Sequence, residues 1–361
     1  MRKINVLHLI TSMNPGGAEN LIKFQYSHFN KEKFNIHVGY LIGEGSLIIN
    51  NKNFKSKNFS FKGKFNPFSI FSIISYIKKY NITIIHSHLI HAGIIARFIS
   101  FLVGNVKIIS TRHYAKASKD SRLINKFEFF LLKNDLKIIC ISNYVKNYLI
   151  EKGIPDKKLS VIYNGIDLNL YNNLNKANKN NFTVGTIGRL SEQKGIDITL
   201  KAFKKVLLKY PNLNLEIVGE GELKDEYKLL ANRLKIENRV KFLGYLQPEA
   251  VIKQMQSWEI FVLPSRWEGF GMVLIEAGAV GLPVISTNVE AIPEIIQDNF
   301  NGYIVAPNDY NLVADRLLKL ISSEENRIKM GQNGKISANK NFSIEKMVLK
   351  TEKIYETLES K

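Results

Sequence analysis

Ile260-Phe-Val-Leu-Pro-Ser-Arg-Trp-Glu-Gly-Phe-Gly-Met-Val-Leu-Ile-Glu-Ala-Gly-Ala-Val280 decides how this chain folds. Its first four residues form a short apolar run that reads as a strand, and Met272–Val280 reads as a helix. Glycines at 269 and 271 mark a loop that Glu268 closes. Strand, loop and helix make up the repeating unit of a parallel sheet, since parallel neighbours need a crossover connection. The main-chain amides of Phe270, Gly271, Met272 and Val273 then point at any anion bound at the helix start. Glu276 falls about one turn inside, on the face of Met272. A carboxylate in an apolar helix is costly to bury without partners, so it meets a polar ligand or water. Were both glutamates helical, they would stand about 12 Å apart along the axis. That is unlike the paired carboxyls of a hydrolase.

The same unit recurs in both directions along the chain. N-terminal strands are expected at Ile4–Ile10, Phe34–Leu41, Ile82–His88, Val106–Thr111, Leu136–Ser142 and Leu159–Tyr163. Helices are expected between them at Gly17–Phe29, Pro67–Tyr80, His91–Leu102, Arg122–Lys133 and Asn143–Lys152. Asn164–Asn181 has no clear period and reads as a linker. A second alternation follows, with strands at Thr183–Gly188, Leu213–Gly219, Val240–Leu243, Ile260–Leu263, Pro283–Ser286 and Tyr303–Val305. The expected architecture is α/β: two Rossmann-like, doubly wound domains facing each other across a cleft. Residues 1–167 make the first domain and 168–343 the second. The helix at 344–361 is expected to return to the first.

A chain of 361 residues suits two cores rather than one. The single cysteine, Cys140, lies in an apolar run and reads as a core residue in a reducing compartment. Neither a secretory signal nor a membrane-spanning run is expected, and the best apolar stretch, Ile90–Val103, is interrupted by Arg97. The net charge of +19 is uneven: residues 1–167 carry 25 Lys and Arg against 9 Asp and Glu, the remainder 26 against 23. An excess confined to one half implies that this half meets something anionic.

Other motifs fall at strand ends, where such sheets bind ligands. Gly16 and Gly17 follow the first strand and allow a tight turn before a helix N-terminus that favours phosphate. This is not Gly-x-Gly-x-x-Gly, which disfavours a nicotinamide cofactor, and no Gly-Lys-Ser/Thr phosphate loop occurs. In Gly185-Thr-Ile-Gly-Arg-Leu-Ser-Glu-Gln-Lys-Gly195, Arg189 supplies a fork of donors and Lys194 a compact charge, a pairing suited to a diphosphate. His86 and His88 share a strand face, with His91 just beyond, but no carboxylate or cysteine accompanies them. No metal site is expected, and no Asp-x-Asp occurs.

Glu268-x7-Glu276 with the Gly-Arg-Leu…Lys-Gly segment resembles glycosyltransferase family 4, retaining enzymes of the GT-B fold. Gly16-Gly-Ala-Glu19, Val161-Ile-Tyr-Asn-Gly-Ile-Asp167, Val240-Lys-Phe-Leu-Gly244, Gly281-Leu-Pro-Val-Ile285 and Pro293-Glu-Ile-Ile296 extend the resemblance in family order. The resemblance implies that Arg189 and Lys194 hold a donor diphosphate, Glu276 binds the ribose, and Glu268 lies beside the transferred sugar. Backbone near Leu243 and Gly244 would contact the base. Thr111-Arg-His-Tyr114 matches the segment that carries a histidine near the sugar 6-position, which makes His113 the second catalytic candidate, with His88 and Arg112 on the acceptor side. Glu290-Ala-Ile-Pro-Glu294 departs from the family, many of whose members have glycines there.

The expected activity is therefore metal-independent transfer of a sugar, with retention, from a UDP- or GDP-type donor to a glycan or lipid-linked acceptor in surface polysaccharide assembly. No cofactor is implied. Basic residues interleaved with phenylalanines at Lys52–Lys64 and Arg112–Lys133 suit an anionic membrane surface, placing the enzyme on the cytoplasmic face of the inner membrane. Two other readings compete: a GT-B sugar-nucleotide epimerase, and a basic nucleic-acid-binding protein, for which no recognised binding motif occurs.

Overall fold

A computed structural model describes residues 3–14, 16–45, 47, 54–60, 67–115, 129–171 and 182–360. The chain divides into two compact units, the first comprising Met1–Gly165 and Ile344–Lys361 and the second Ile166–Ser343.

In the first unit the described strands are β1 (Ile4–Ser12), β2 (Phe34–Ile42), β3 (Ser56–Asn58), β4 (Ile84–His88), β5 (Lys107–Arg112), β6 (Lys137–Cys140) and β7 (Leu159–Val161). They pair in the order β3-β2-β1-β4-β5-β6-β7, every pair parallel. The order reverses between β1 and β4, which creates the crevice where a doubly wound sheet takes its ligands. Strand alternation divides the side chains between two layers. Leu7, Leu9 and Ile85 pack with the helices Pro67–Tyr80 and Ile90–Val103. Val6 and Ile84 pack on the other face with Met347, Val348 and Tyr355 of the helix Ile344–Glu359. Cys140 is buried, and burial pushes its thiol up to about 12.

The second unit holds β8 (Thr183–Ile187), β9 (Asn214–Val218), β10 (Val240–Gly244), β11 (Ile260–Leu263), β12 (Val284–Thr287) and β13 (Gly302–Val305). Its order is β10-β9-β8-β11-β12-β13, again parallel, with the reversal between β8 and β11. One apolar cluster runs from Val184, Leu215 and Ile260 to the helices Ile196–Leu207 and Tyr310–Ser322. The helices Met272–Val280 and Glu324–Asn341 approach closely through Gly278 and Gly334.

The structure corrects the reading of Lys52–Lys64 as an aromatic membrane surface. Its described part contains β3, an edge strand, and Phe59 is 3% exposed with its ring at 5.6 Å from that of Tyr76. Phe54 stacks on Tyr26 at 4.0 Å, while Lys55 and Lys57 remain exposed. Phe59 enters the core and the lysines stay hydrated because removing a ring from water is favourable whereas burying an unpaired charge is costly. Residues 52–53 and 61–64 lie outside the described residues, as do 122–128 of the expected helix at 122–133 and 172–181 of the expected linker.

Arg97, the charge inside an apolar helix, is buried against Asp135. Its Nε and Nη2 donate to the two carboxylate oxygens at 2.6 and 2.8 Å, and Ser110 Oγ donates at 2.5 Å. Removing one partner of such a pair strands the other charge, which costs about 3–5 kcal/mol. Asp135→Ala is therefore expected to lower denaturant-measured stability by about that amount, and Arg97→Met with Asp135→Leu by much less. Equal losses in the two variants would show that the charge is not what matters here.

Candidate functional site

The reversal between β8 and β11 brings two turns together. After β8 the chain passes Gly188 and Arg189 into the 3-10 turn Glu192–Lys194 and the helix Ile196–Leu207. After β11 it passes through residues 264–271 into the helix Met272–Val280. Gly195, between turn and helix, has φ +64°, and a Cβ there would stand 2.2 Å from the Pro264 carbonyl oxygen. Only glycine lets the turns come so close. In consequence Lys194 Nζ donates directly to Glu268 Oε2, with side-chain exposures of 15% and 9%.

The loop carrying Glu268 is fastened on several sides. Arg266 donates to both oxygens of Asp197 at 3.0 and 2.8 Å and to the Glu192 carbonyl at 2.7 Å. Burial pushes the Asp197 carboxyl up, but Arg266 outweighs it and holds the group below its ordinary value. From β12, Ser286 Oγ donates to the Leu263 carbonyl at 2.7 Å and Thr287 Oγ1 to that of Ser265 at 2.5 Å. Glu290 stands in the left-handed region, at φ +46°, and its carboxylate accepts the Glu268 N–H at 2.8 Å. Glu290 thus turns a departure from the family pattern into a support for Glu268. None of these supporting roles is legible in one sequence, because each partner is remote along the chain.

The helix Met272–Val280 begins at Gly271, φ +95°, with no side chain capping it. Its leading amides, those of Met272 and Val273, are open to an anion. Phe270 is buried, its ring 6.1 Å from that of Phe342. Glu276 is half-buried, and among the described residues no hydrogen bond or ion pair reaches its carboxylate. Burial pushes that carboxyl up to about 7. Tyr171 lies close enough that its phenol is pushed up first by burial and then by Glu276. Arg189 is 73% exposed and paired with Glu222 at 3.2 Å, so it stands at the rim. Leu243, half-buried near the end of β10, lies two strands from β8, and the Gly244 carbonyl accepts the Gly219 N–H at 2.8 Å. The fold therefore gathers Lys194, Glu268, Gly271, Met272, Val273 and Glu276 around the reversal, with Arg189 and Leu243 farther out.

In the first unit Gly16 precedes the helix Gly17–His28. A Cβ on Gly17 would meet nothing within 4 Å, and one on Gly16 would meet chiefly the Glu19 carboxyl, at 2.3 Å. A carboxylate of the chain itself thus covers the helix start that the sequence assigns to phosphate. His88 is buried and its Nδ1 lies 3.2 Å from Nε2 of half-buried His113. Arg112 does not join a basic surface: it is 5% exposed, with its guanidinium 4.9 Å from the Tyr114 ring and 5.3 Å from that of Phe129. The exposed His91 stands apart from His86 and His88, and His8 takes its place, the three offering ring nitrogens within 4.8 Å of one another. These rings are already engaged in hydrogen bonds with each other, with Tyr355 and with Thr111.

Two family models match consecutive stretches, Glycosyltransferase Family 4 over residues 15–170 and Glycosyl transferases group 1 over residues 171–337. An uncharacterized glycosyltransferase of Methanocaldococcus jannaschii is 36% identical over 62% of this chain, and the match spans 60% of that relative's length. The UDP-Gal:alpha-D-GlcNAc-diphosphoundecaprenol alpha-1,3-galactosyltransferase of Escherichia coli is 29% identical, over 80% of this chain and 78% of its own. A crystal structure of Anabaena HepE in complex with UDP superimposes with a TM-score of 0.86 at 23% identity, covering 99% of this chain and 100% of that one. Two parallel-sheet Rossmann-like units, the motifs at their strand ends and both family models agree: the chain is a glycosyltransferase of group 1 and Family 4, with the GT-B fold.

Proposed function

We propose that this chain transfers a sugar, with retention of configuration, from a nucleotide-sugar to a hydroxyl of a lipid-linked glycan. The observation that carries the reading is the buried Lys194–Glu268 pair beside an uncapped helix start, with unpaired Glu276 one turn inside. Lys194, Arg189 and the amides of Met272 and Val273 stabilise the departing nucleoside diphosphate, a role that positive charge and N–H dipoles fill without a metal ion. Glu276 accepts hydrogen bonds from the ribose, and backbone at Leu243 and Gly244 meets the base. Glu268, held by Lys194 and by Glu290, lies beside the sugar and supports the positive charge that develops at its anomeric carbon. His113, in the first unit, is the second candidate for a hydrogen bond to a sugar oxygen. The acceptor oxygen attacks on the face that the diphosphate leaves, its proton passing to the departing phosphate oxygen. UDP in the complex of the Anabaena structure, and UDP-Gal in the name of the Escherichia coli relative, support a uridine donor.

A lipid-linked acceptor is supported by that relative's diphosphoundecaprenol substrate and by a surface of the first unit. The neighbouring helices Pro67–Tyr80 and Ile90–Val103 expose Phe68, Phe71, Phe101 and Leu102, with Lys78 and Lys79 ending the first of them. Aromatic rings beside lysines suit an anionic bilayer surface. No described helix is long and apolar enough to cross a membrane. We infer attachment to the cytoplasmic face in surface polysaccharide assembly.

Removing Lys194 uncovers buried Glu268 and takes a cation from the leaving group. Lys194→Ala is expected to lower kcat by about 100-fold or more, and rim-placed Arg189→Ala to lower kcat/KM by about tenfold. Unchanged turnover of a panel of UDP- and GDP-sugars in both variants would sink the diphosphate assignment. Ribose hydroxyls donating to Glu276 favour its charged form, so binding lowers a carboxyl value that stands at about 7 in the free protein. UDP binding near neutral pH is thus expected to release a proton, and the release to vanish at about pH 9, where the free carboxyl is already ionised. Calorimetry in two buffers of different ionisation enthalpy reads it, and Glu276→Gln should abolish it. For the surface, Phe71→Ser with Phe101→Ser is expected to reduce co-sedimentation with phosphatidylglycerol vesicles, and an unchanged bound fraction would refute docking through these helices.

A further inference from the structure

Six side chains of the first unit are joined end to end. Thr111 Oγ1 lies 2.7 Å from His86 Nε2, and His86 Nδ1 lies 2.6 Å from the Tyr355 hydroxyl. That hydroxyl lies 3.0 Å from His8 Nε2, and His8 Nδ1 lies 3.1 Å from His88 Nε2. His88 Nδ1 finally reaches His113 Nε2 at 3.2 Å. His8, His86 and His88 are at most 2% exposed, and Tyr355 is fully buried. The strands supply five of the groups or lead directly into them, and the helix Ile344–Glu359 supplies Tyr355.

A neutral imidazole has one donor nitrogen and one acceptor, and a hydroxyl has one proton. The series can therefore be written in only two ways, one the reverse of the other at every link. If Thr111 donates, each proton points onward and His113 carries its own on Nδ1, the free end. In the reverse order His113 carries it on Nε2, Nδ1 is bare, and Thr111 accepts from His86. The Thr111 proton then needs another acceptor, and among the described residues its hydroxyl bonds only His86 while the residue is 6% exposed. A buried donor left without an acceptor costs more than an oxygen lone pair left unused. The forward order is favoured.

We propose that this one-way chain from Thr111 through Tyr355 fixes His113 as a neutral Nδ1–H donor, making Thr111, His86, Tyr355, His8 and His88 positioning residues for the transfer reaction. A second proton on any ring would set two N–H groups against each other, so the chain also resists charging. Burial acts in the same sense, driving His8 to about 3 and, with Arg112 adding to it, His113 to about 4. It holds His86 and His88 well below the ordinary range as well. A histidine so held offers a hydrogen bond to a sugar oxygen and adds no positive charge near an anomeric carbon that is becoming positive. Only this last step rests on the transferase reading; the tautomer itself does not.

Long-range proton–nitrogen correlation NMR on the full-length, nitrogen-15-labelled protein, without substrate, reads each ring's tautomer. His113 is expected to carry its proton on Nδ1 in the wild type and in Thr111→Ser. Thr111→Val and Tyr355→Phe remove a hydroxyl link while keeping bulk and packing, and should leave His113 in mixed or reversed tautomers. In both, kcat with the sugar nucleotide should fall by about tenfold with KM little changed, and Thr111→Ser should restore it. A wild-type His113 protonated on Nε2, or a tautomer untouched by both variants, overturns the proposal. A changed tautomer with unchanged kcat keeps the chain but overturns its part in transfer. A failure of the transferase reading would show instead as no sugar-nucleotide turnover in the wild type, with the tautomer results intact.

Discussion

The contact between Gly195 and the Pro264 carbonyl is the constraint on which the candidate site of the second unit depends. Two βα turns, one after β8 and one after β11, meet with no space for a methyl group between them. That closeness puts a lysine from one turn against a glutamate from the other, and both lose most of their water. Neither charge would be tolerable there alone. Paired, they neutralise each other. Arg266 with Asp197, Ser286, Thr287 and Glu290 hold the second turn from three directions, so the pair is set by hydrogen bonds rather than by flexible side chains finding each other.

The first unit solves a different problem. Its sheet is buried on both faces, yet it carries three histidines on adjacent strands and an arginine in an apolar helix. The arginine is neutralised by Asp135. The histidines stay uncharged and satisfy one another, borrowing a hydroxyl from Tyr355 at the far end of the sequence. Buried polarity of this kind specifies an arrangement, since every member must keep its partner. It also ties the chain terminus to the sheet centre and leads outward to His113.

Much of the fold was legible because parallel βα units write their period plainly. Of the strands, β11 matches the sequence reading and most others differ from it by one or two residues at an end. The miss was β3, three residues long, hidden in a lysine-rich segment whose composition resembles a surface. At the candidate site, glycine spacing and residue type single out Lys194, Glu268 and Glu276 from the sequence alone. Arg266 stood in view without a role, since its partner Asp197 lies 69 residues earlier. Glu290 read as a local departure, and only the folded backbone shows it accepting the Glu268 amide.

Local chemistry sets what can be read from order alone: strands, helices, the glycines that permit turns, and the residue types suited to phosphate and hydroxyl groups. These depend on neighbours within a few positions, so one chain suffices. Pairing is another matter. That Lys194 meets Glu268 and that His8 replaces His91 beside His86 are consequences of strand order, which brings together residues tens of positions apart. The charge state and hydrogen-bond direction of each group follow from those partners and from lost water, and therefore belong to the tertiary structure.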